Sequence, residues 1–445
     1  MLLAPDEVKA ITAKIISRSG AEACTVSVRG GNTTNFRFAR NEATTNGAVS
    51  EVGVSIKSCF GKRSGSASVD SLDEAALEEA RVRSEVIARL SPENPEFMPL
   101  LGPQTYEPEG ARFDFATAHV HAAGLAHAAK AAIAEGRGRE VDIAGYIEAG
   151  SGFRALANSA GLFAYDRGTS AELTVTARDR LRSWSGWAGA SQNRFLALDS
   201  VELGERAVKK ALFKGEPADL DPGIYTVILE PAAVADLVVH LIGSMGARPA
   251  EEGRSFLAKP GGGTKLGEQL LSAAVSITSD PADAHAPGTL YGEDGLPKRR
   301  TVWFERGVAK NASCSRFWAQ KTGREPLPQP SSFCMEGGEV SLEEMIREVK
   351  RGILVTRLWY VNTVDPRTLL CTGMTRDGNF LIENGRITRP ALNLRFNESP
   401  VSALNKIEAI GPARRATGSN SFRHAISVPP LLISGFTFSS KSSGI

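Results

Sequence analysis

Cysteine and histidine are both scarce in this chain. Five of its 445 residues are cysteines (Cys24, Cys59, Cys314, Cys334 and Cys371), and no C-x-x-C pair occurs. An odd, scattered set of thiols excludes a disulfide framework and fits a reducing compartment, so a cytoplasmic location is expected. Six histidines are present, and none is followed by Glu, so H-E-x-x-H is missing. A Gly-x-Ser-x-Gly nucleophile elbow is missing too. Neither sign of charge dominates: 52 Lys and Arg against 50 Asp and Glu leave a net +2. That is too little for a protein that grips phosphates, or for a polybasic membrane anchor, so neither nucleic acid nor membrane is expected as a partner. No run of about 18 apolar residues exists to span a bilayer. The opening Met-Leu-Leu-Ala-Pro-Asp-Glu lacks a basic stretch followed by an apolar one and does not read as a signal peptide.

What is present is ordinary for a globular chain, with 42% hydrophobic and 23% charged residues. Glycine is abundant at 44 residues, which predicts many turns and close backbone approaches. After Pro5-Asp6, the spacing of Val8, Ile11 and Ile15 predicts a helix. Cys24–Arg29 and Asn35–Arg40 alternate as strands, and Gly30-Gly31-Asn32 between them reads as a hairpin turn. Further strands are predicted at Val52–Lys57 and Arg63–Ser68. Ser71 and Glu74 have capping-box spacing for a helix running to about Leu90, with Leu72, Ala76, Ala80, Ile87 and Leu90 on its inner face. A Pro-rich stretch from Pro92 to Pro108 reads as a linker. Asp114 then caps an Ala-rich helix to about Glu135. Strands follow at Val141–Glu148, Gly161–Tyr165 and Glu172–Ala177, and a helix at Asp199–Phe213 with Val201, Ala207 and Ala211 inward.

The remainder is mostly β. Ile224–Leu229 is an apolar strand and Ala232–Met245 a helix. Short strands at Thr301–Phe304, Trp359–Asn362, Leu370–Thr375, Phe380–Glu383 and Leu431–Ser439 suggest a closed or nearly closed sheet. The expected class is α+β: N-terminal strand and helix domains at 1–105 and 106–215, then a largely β, barrel-like C-terminal domain at 216–445.

Candidate chemistry is sparse. His119 and His121 lie two apart on a predicted helix and so point about 200° apart, unable to share a metal. His127 follows His121 by six, which misses the i, i+4 geometry. His240 has Gly243 and Ser244 where a second helical ligand would stand, and neither suits zinc. Pro260–Lys265 resembles a phosphate cradle but lacks the Gly-Lys-Ser/Thr order and reads as a turn. Thr375-Arg376-Asp377-Gly378 reads as a polar hairpin turn, with Arg376 and Asp377 as candidate contacts for a substrate or partner.

In its order of motifs the chain resembles the TldD/PmbA family, in which zinc metallopeptidase subunits and metal-free relatives share a fold. The pieces that carry the resemblance are Ala39–Asn41 to Val54–Ile56, Leu229–Val234, Gly253–Leu257, Arg351–Val355, Thr372–Gly378, Ile382–Gly385 and Asn393–Ser399. The catalytic branch carries H-E-x-x-x-H on the helix after the first C-terminal strand. Here those positions hold Val239, His240 and Ser244. The resemblance therefore implies the PmbA branch, also called TldE: a subunit without zinc of its own, paired in a heterodimer with a TldD-type partner that bears the zinc and cuts unfolded or short peptides. A metallopeptidase in its own right, and a non-proteolytic binding protein of the gyrase-modulator kind, are the alternatives.

Overall fold

A computed structural model describes residues 2–181, 184–421 and 425–442. Helix α1 (Pro5–Arg18) precedes three strands, β1 (Ala23–Ala39), β2 (Glu42–Phe60) and β3 (Arg63–Val69), and then α2 (Glu74–Leu90). Short α3 (Phe115–Ala118) and α4 (Ala122–Ala134) lead to β4 (Val141–Asn158), β5 (Phe163–Asp179), β6 (Ser185–Gln192) and α5 (Ser200–Ala211). All six strands form one sheet in the order β3-β2-β1-β4-β5-β6. Segments 1–105 and 106–215 thus share it, through antiparallel pairing of β1 with β4.

Strand alternation gives this sheet two unlike faces. Val26, Val28, Phe36 and Phe38 on β1, with Ile143, Ile147, Phe153 and Ala155 on β4, point into two apolar clusters that the helices cover. The intervening positions face the other way and carry glycine or charge, as in Glu148, Gly150, Gly152 and Arg154.

The Gly30-Gly31-Asn32 turn does not form. These residues sit inside β1, which runs unbroken for 17 residues between β2 and β4. A Cβ on Gly31 would lie 2.5 Å from the Ser151 carbonyl oxygen, so close strand approach, not chain reversal, requires the glycine there. The reversal comes at Arg40 and Asn41, both with positive φ. Ser71 is not the cap of α2: Asp73 holds that position, and the Ser71 hydroxyl bonds to the Asp73 carboxylate at 2.8 Å. The buried face of α2 is Ala80, Ser84 and Ala88, while Leu90 is 82% exposed. Small side chains are selected because Gly65 of β3 packs onto the helix backbone; a Cβ there would meet Ala88 N at 2.3 Å. The expected helix from Asp114 breaks at His119–His121, and Val201 of α5 is exposed rather than inward.

The second half begins with β7 (Gly223–Leu229), α6 (Pro231–Gly243) and α7 (Ala247–Glu251). Short strands β8 (Ile277–Ser279), β9 (Thr301–Glu305) and β10 (Val308–Ala309) follow, then α8 (Arg316–Thr322), β11 (Ser332–Met335) and α9 (Leu342–Glu348). Long strands β12 (Arg351–Asp365) and β13 (Leu370–Glu383) lead to β14 (Arg386–Ala391), β15 (Leu394–Glu398) and α10 (Pro400–Leu404). The chain ends with β16 (Ile407–Ile410), β17 (Arg414–Ala416), β18 (Ala425–Val428) and β19 (Leu431–Lys441). Strands β12, β7, β19, β15 and β13 pair in turn, and β13 pairs back to β12, closing a five-stranded barrel. Closure removes the barrel's open edges. A second sheet, β10-β9-β8-β11-β18-β17, lies beyond α6. Helix α6 shares one apolar cluster with both, and every residue from Pro231 to Val238 is buried. Among the described residues, no helix is long and apolar enough to cross a membrane.

Candidate functional site

The glycine and charge face of the N-terminal sheet is the floor of a cleft of about 1150 Å³. Arg248 and Pro249 of α7 and the loops Pro287–Lys298 and Leu327–Ser331 of the second half form its roof. Gly31, Gly152 and Gly168 stand side by side across β1, β4 and β5, leaving the middle of the floor without side chains of its own, though Arg112 lies across Gly168. Glu148 pairs with Glu172 on one side of this trough, and Arg154 with Asp166 on the other.

Arg154 and Asp166 nucleate a charged cluster. The Asp166 carboxylate is buried, and its Oδ2 accepts from Arg112 and from Arg154 Nε at 3.3 Å. Arg112 reaches it by lying across Gly168, where a Cβ would stand 3.1 Å from its Nε. The Arg154 guanidinium stacks on the Tyr291 ring, 4.0 Å from its centroid, and donates to the Tyr291 carbonyl. This joins the floor to the roof. Lys298 comes from the roof. Its Nζ donates to Thr289 Oγ1 at 2.8 Å. Burial, then the neighbouring Arg154 and Arg112, push its ammonium down to about 7. Among the described residues, buried polar atoms at the cleft without a hydrogen-bond partner include Asp166 Oδ1, Tyr291 Oη and Arg415 Nε.

The positions singled out on α6 lie elsewhere. Val239 and His240 are on the last turns of α6 and Ser244 is its C-cap. The His240 ring contacts Thr363 Oγ1 at 3.4 Å through Nδ1 and Asn420 Nδ2 at 3.3 Å through Nε2. Burial pushes the imidazole below its ordinary value. Val239 offers no ligand atom, so this donor set does not fit zinc. Among the described residues, no three His, Cys, Asp or Glu side chains stand together as a metal cluster; His424 lies outside those residues.

One turn before His240, Asp236 is wholly buried. Its carboxylate accepts from the backbone amides of Ser419, Asn420 and Ser421 at 3.0, 2.8 and 3.1 Å, and from the Ser419 and Ser421 hydroxyls at 3.4 and 3.2 Å. This binds the 418–421 loop down onto the helix. Burial pushes the Asp236 carboxyl up to about 6, against the pull of those donors.

Arg376 and Asp377 are not in a hairpin turn. They lie within β13, at a bulge where the register against β12 skips between Val355 and Arg357. Asp377 and Gly378 have φ of 50° and 107°, the conformation that makes the stretch look like a turn in sequence. Asp377 is buried, pairs with Arg357 and accepts from Ser185 Oγ of β6 at 2.8 Å. Arg376 and Arg357 both lie over the Trp359 ring, at 5.0 and 4.9 Å. Nearby, the buried Lys210 Nζ of α5 donates to Glu230 Oε2 at 2.7 Å and Thr356 Oγ1 at 2.9 Å. These polar contacts form a seam between the N-terminal sheet and the barrel.

Sequence reasoning missed Arg112, Arg154, Asp166, Asp236 and Lys298. A signal was available for two of them: charge at alternate positions of β4 and β5, opposite an apolar set. That pattern also describes a solvated face. The roof over it is set by residues more than 80 positions further along the chain.

Comparison with known proteins gives two family matches. Residues 222–440 match the PmbA/TldA metallopeptidase C-terminal domain, and residues 112–212 match the PmbA/TldA metallopeptidase central domain. A metalloprotease of Methanothermobacter thermautotrophicus is 25% identical over 228 residues, 48% of each chain. The chain thus spans about half the length of the curated relatives it matches. The crystal structure of TldE from Thermococcus kodakarensis superposes with a TM-score of 0.83 at 19% identity, over 98% of this chain and 99% of that one. A Bacteroides thetaiotaomicron protein, described as a candidate modulator of DNA gyrase, gives 0.84 at 22% identity, over 98% and 99%. These two likenesses show the fold.

Proposed function

The chain belongs to the PmbA/TldD metallopeptidase family, and from that premise we propose that it is the non-catalytic subunit of a TldD/TldE-type peptidase complex. In this reading a zinc-bearing TldD-type partner hydrolyses the peptide, and this chain closes the chamber and holds an extended substrate on its cleft floor. The observation that carries the reading is the chemistry of α6. On the family resemblance Val239, His240 and Ser244 would take the positions of the catalytic branch's ligands and base, and the His240 imidazole is engaged by Thr363 and Asn420. A hydrolytic zinc needs three protein ligands, an open position and a base beside its water. The bare glycine trough supports the holding role, because an extended peptide can approach backbone closely only where side chains are missing.

The test is metal analysis and peptide cleavage by the purified chain, alone and mixed with a TldD-type subunit. The expected outcome is less than about a tenth of an equivalent of zinc in the chain alone, no cleavage by it, and chelator-sensitive cleavage by the mixture. Near-stoichiometric zinc with chelator-sensitive cleavage by the chain alone would overturn the reading in favour of a self-sufficient peptidase.

A further inference from the structure

Lys298 is unusually placed for a lysine. Its Nζ is half-buried in the cleft roof and, among the described residues, has one hydrogen-bond partner, Thr289 Oγ1. An ammonium carries three donors, so two remain for a ligand. No carboxylate lies within ion-pair distance of it among the described residues. The charged groups that act on it are Arg154 and Arg112 from the floor, Asp166 between them, and Glu293 from its own loop. Asp166 has one negative charge, and it is shared by the two guanidiniums. Glu293, fully exposed at the rim, adds a second negative charge 3.8 Å from Arg154 Nη1, so three cations face two carboxylates. The inner cluster of Arg112, Arg154, Asp166 and Lys298 therefore carries surplus positive charge along one side of the glycine trough.

We propose that this cluster is a carboxylate-binding subsite in which Lys298 anchors a carboxylate of a peptide lying along the Gly31-Gly152-Gly168 trough. The proposal rests on the peptide-holding reading above and adds the ligand chemistry. Buried positive charge without a counter-ion is costly, and a carboxylate entering the cleft supplies charge-assisted hydrogen bonds in a partly desolvated place. The chain terminus and an acidic side chain offer the same group.

The experiment is fluorescence anisotropy with the full chain and a labelled short Ser/Ala peptide in three forms: free C-terminal acid, C-terminal amide, and amide with one internal Glu. The acid form is expected to bind about tenfold or more tighter than the plain amide, the gain of one charge-assisted hydrogen bond. Lys298→Met should abolish the difference and Lys298→Arg should keep most of it. Unchanged circular dichroism for both variants guards against misfolding. Because the ammonium titrates near neutrality, the acid-over-amide preference should shrink as the pH rises through about 7. If the internal Glu restores tight binding fully, the subsite is still a carboxylate site and the terminus is not its source. Equal binding of acid, amide and Glu forms would overturn the anchor while leaving the holding role intact. Failure of all three to bind would overturn both.

Discussion

Asp236→Ala is the substitution with the most specific expected consequence. It removes the one acceptor that three consecutive amides and two hydroxyls share. Each orphaned buried amide costs about 1–3 kcal/mol if it stays buried. The 418–421 loop can instead lift toward water, so the expected local cost is about 3 kcal/mol. Hydrogen exchange at Ser419, Asn420 and Ser421 should then accelerate about a hundredfold. Unfolding of the C-terminal half should move down by roughly 6–12 °C at pH 5. The pH dependence has a definite sign. The folded carboxyl is raised from 3.8 to about 6, so the folded state holds its proton more tightly than the unfolded chain does. Its contribution is full below about 4 and is lost as the pH rises through about 6, a change of about 3 kcal/mol at about 1.4 kcal/mol per pH unit. The stability gap between wild type and Asp236→Ala should therefore be widest in mild acid and shrink toward neutrality. Asp236→Asn, which keeps one carbonyl oxygen, should fall between them. Unchanged protection of the three amides, or a gap that widens with pH, would refute the reasoning.

Lys210→Met should cost up to about 3 kcal/mol in urea unfolding, because it removes the nearer partner of the Glu230 carboxylate and leaves Arg206 at 3.7 Å, and adding Glu230→Gln should recover part of the loss; simple additivity of the two would count against a coupled pair. Gly65→Ala should destabilise by about 1–3 kcal/mol through collision with the α2 backbone. Gly243→Ala, whose added methyl meets open space at the end of α6, should be neutral or stabilise by up to about 1 kcal/mol; thermal melts that rank the two glycines the other way would contradict the packing. Burial holds the thiols of Cys24, Cys59, Cys314, Cys334 and Cys371 above their ordinary value. All five should react slowly with a disulfide reagent at pH 8 until the chain unfolds, and prompt labelling of several in the native protein would contradict that burial.

Local chemistry made much of this protein readable from its sequence. The spacing of Val8 and Ile15 and the Asp114 cap each act within a few residues, and each stands where expected. The run of motifs from Leu229 to Ser399 was sufficient to point to the family. Glycine was where reading the sequence failed. Gly30-Gly31 and Asp377-Gly378 look like turns, because a residue without a Cβ serves equally for chain reversal and for close contact. Only neighbours distant in sequence decide which, here Ser151 for Gly31 and the β12 register for Gly378. The same holds for charge. Arg154 and Asp166 sit on a sheet face that would be solvated in isolation. The roof carrying Tyr291 and Lys298 turns that face into a cleft, and the 418–421 loop turns Asp236 from an odd polar residue in an apolar helix into a buried anchor. Propensity acts through neighbours in the chain and is written in the sequence. Desolvation depends on which distant segments come to rest together, and only the tertiary structure decides that.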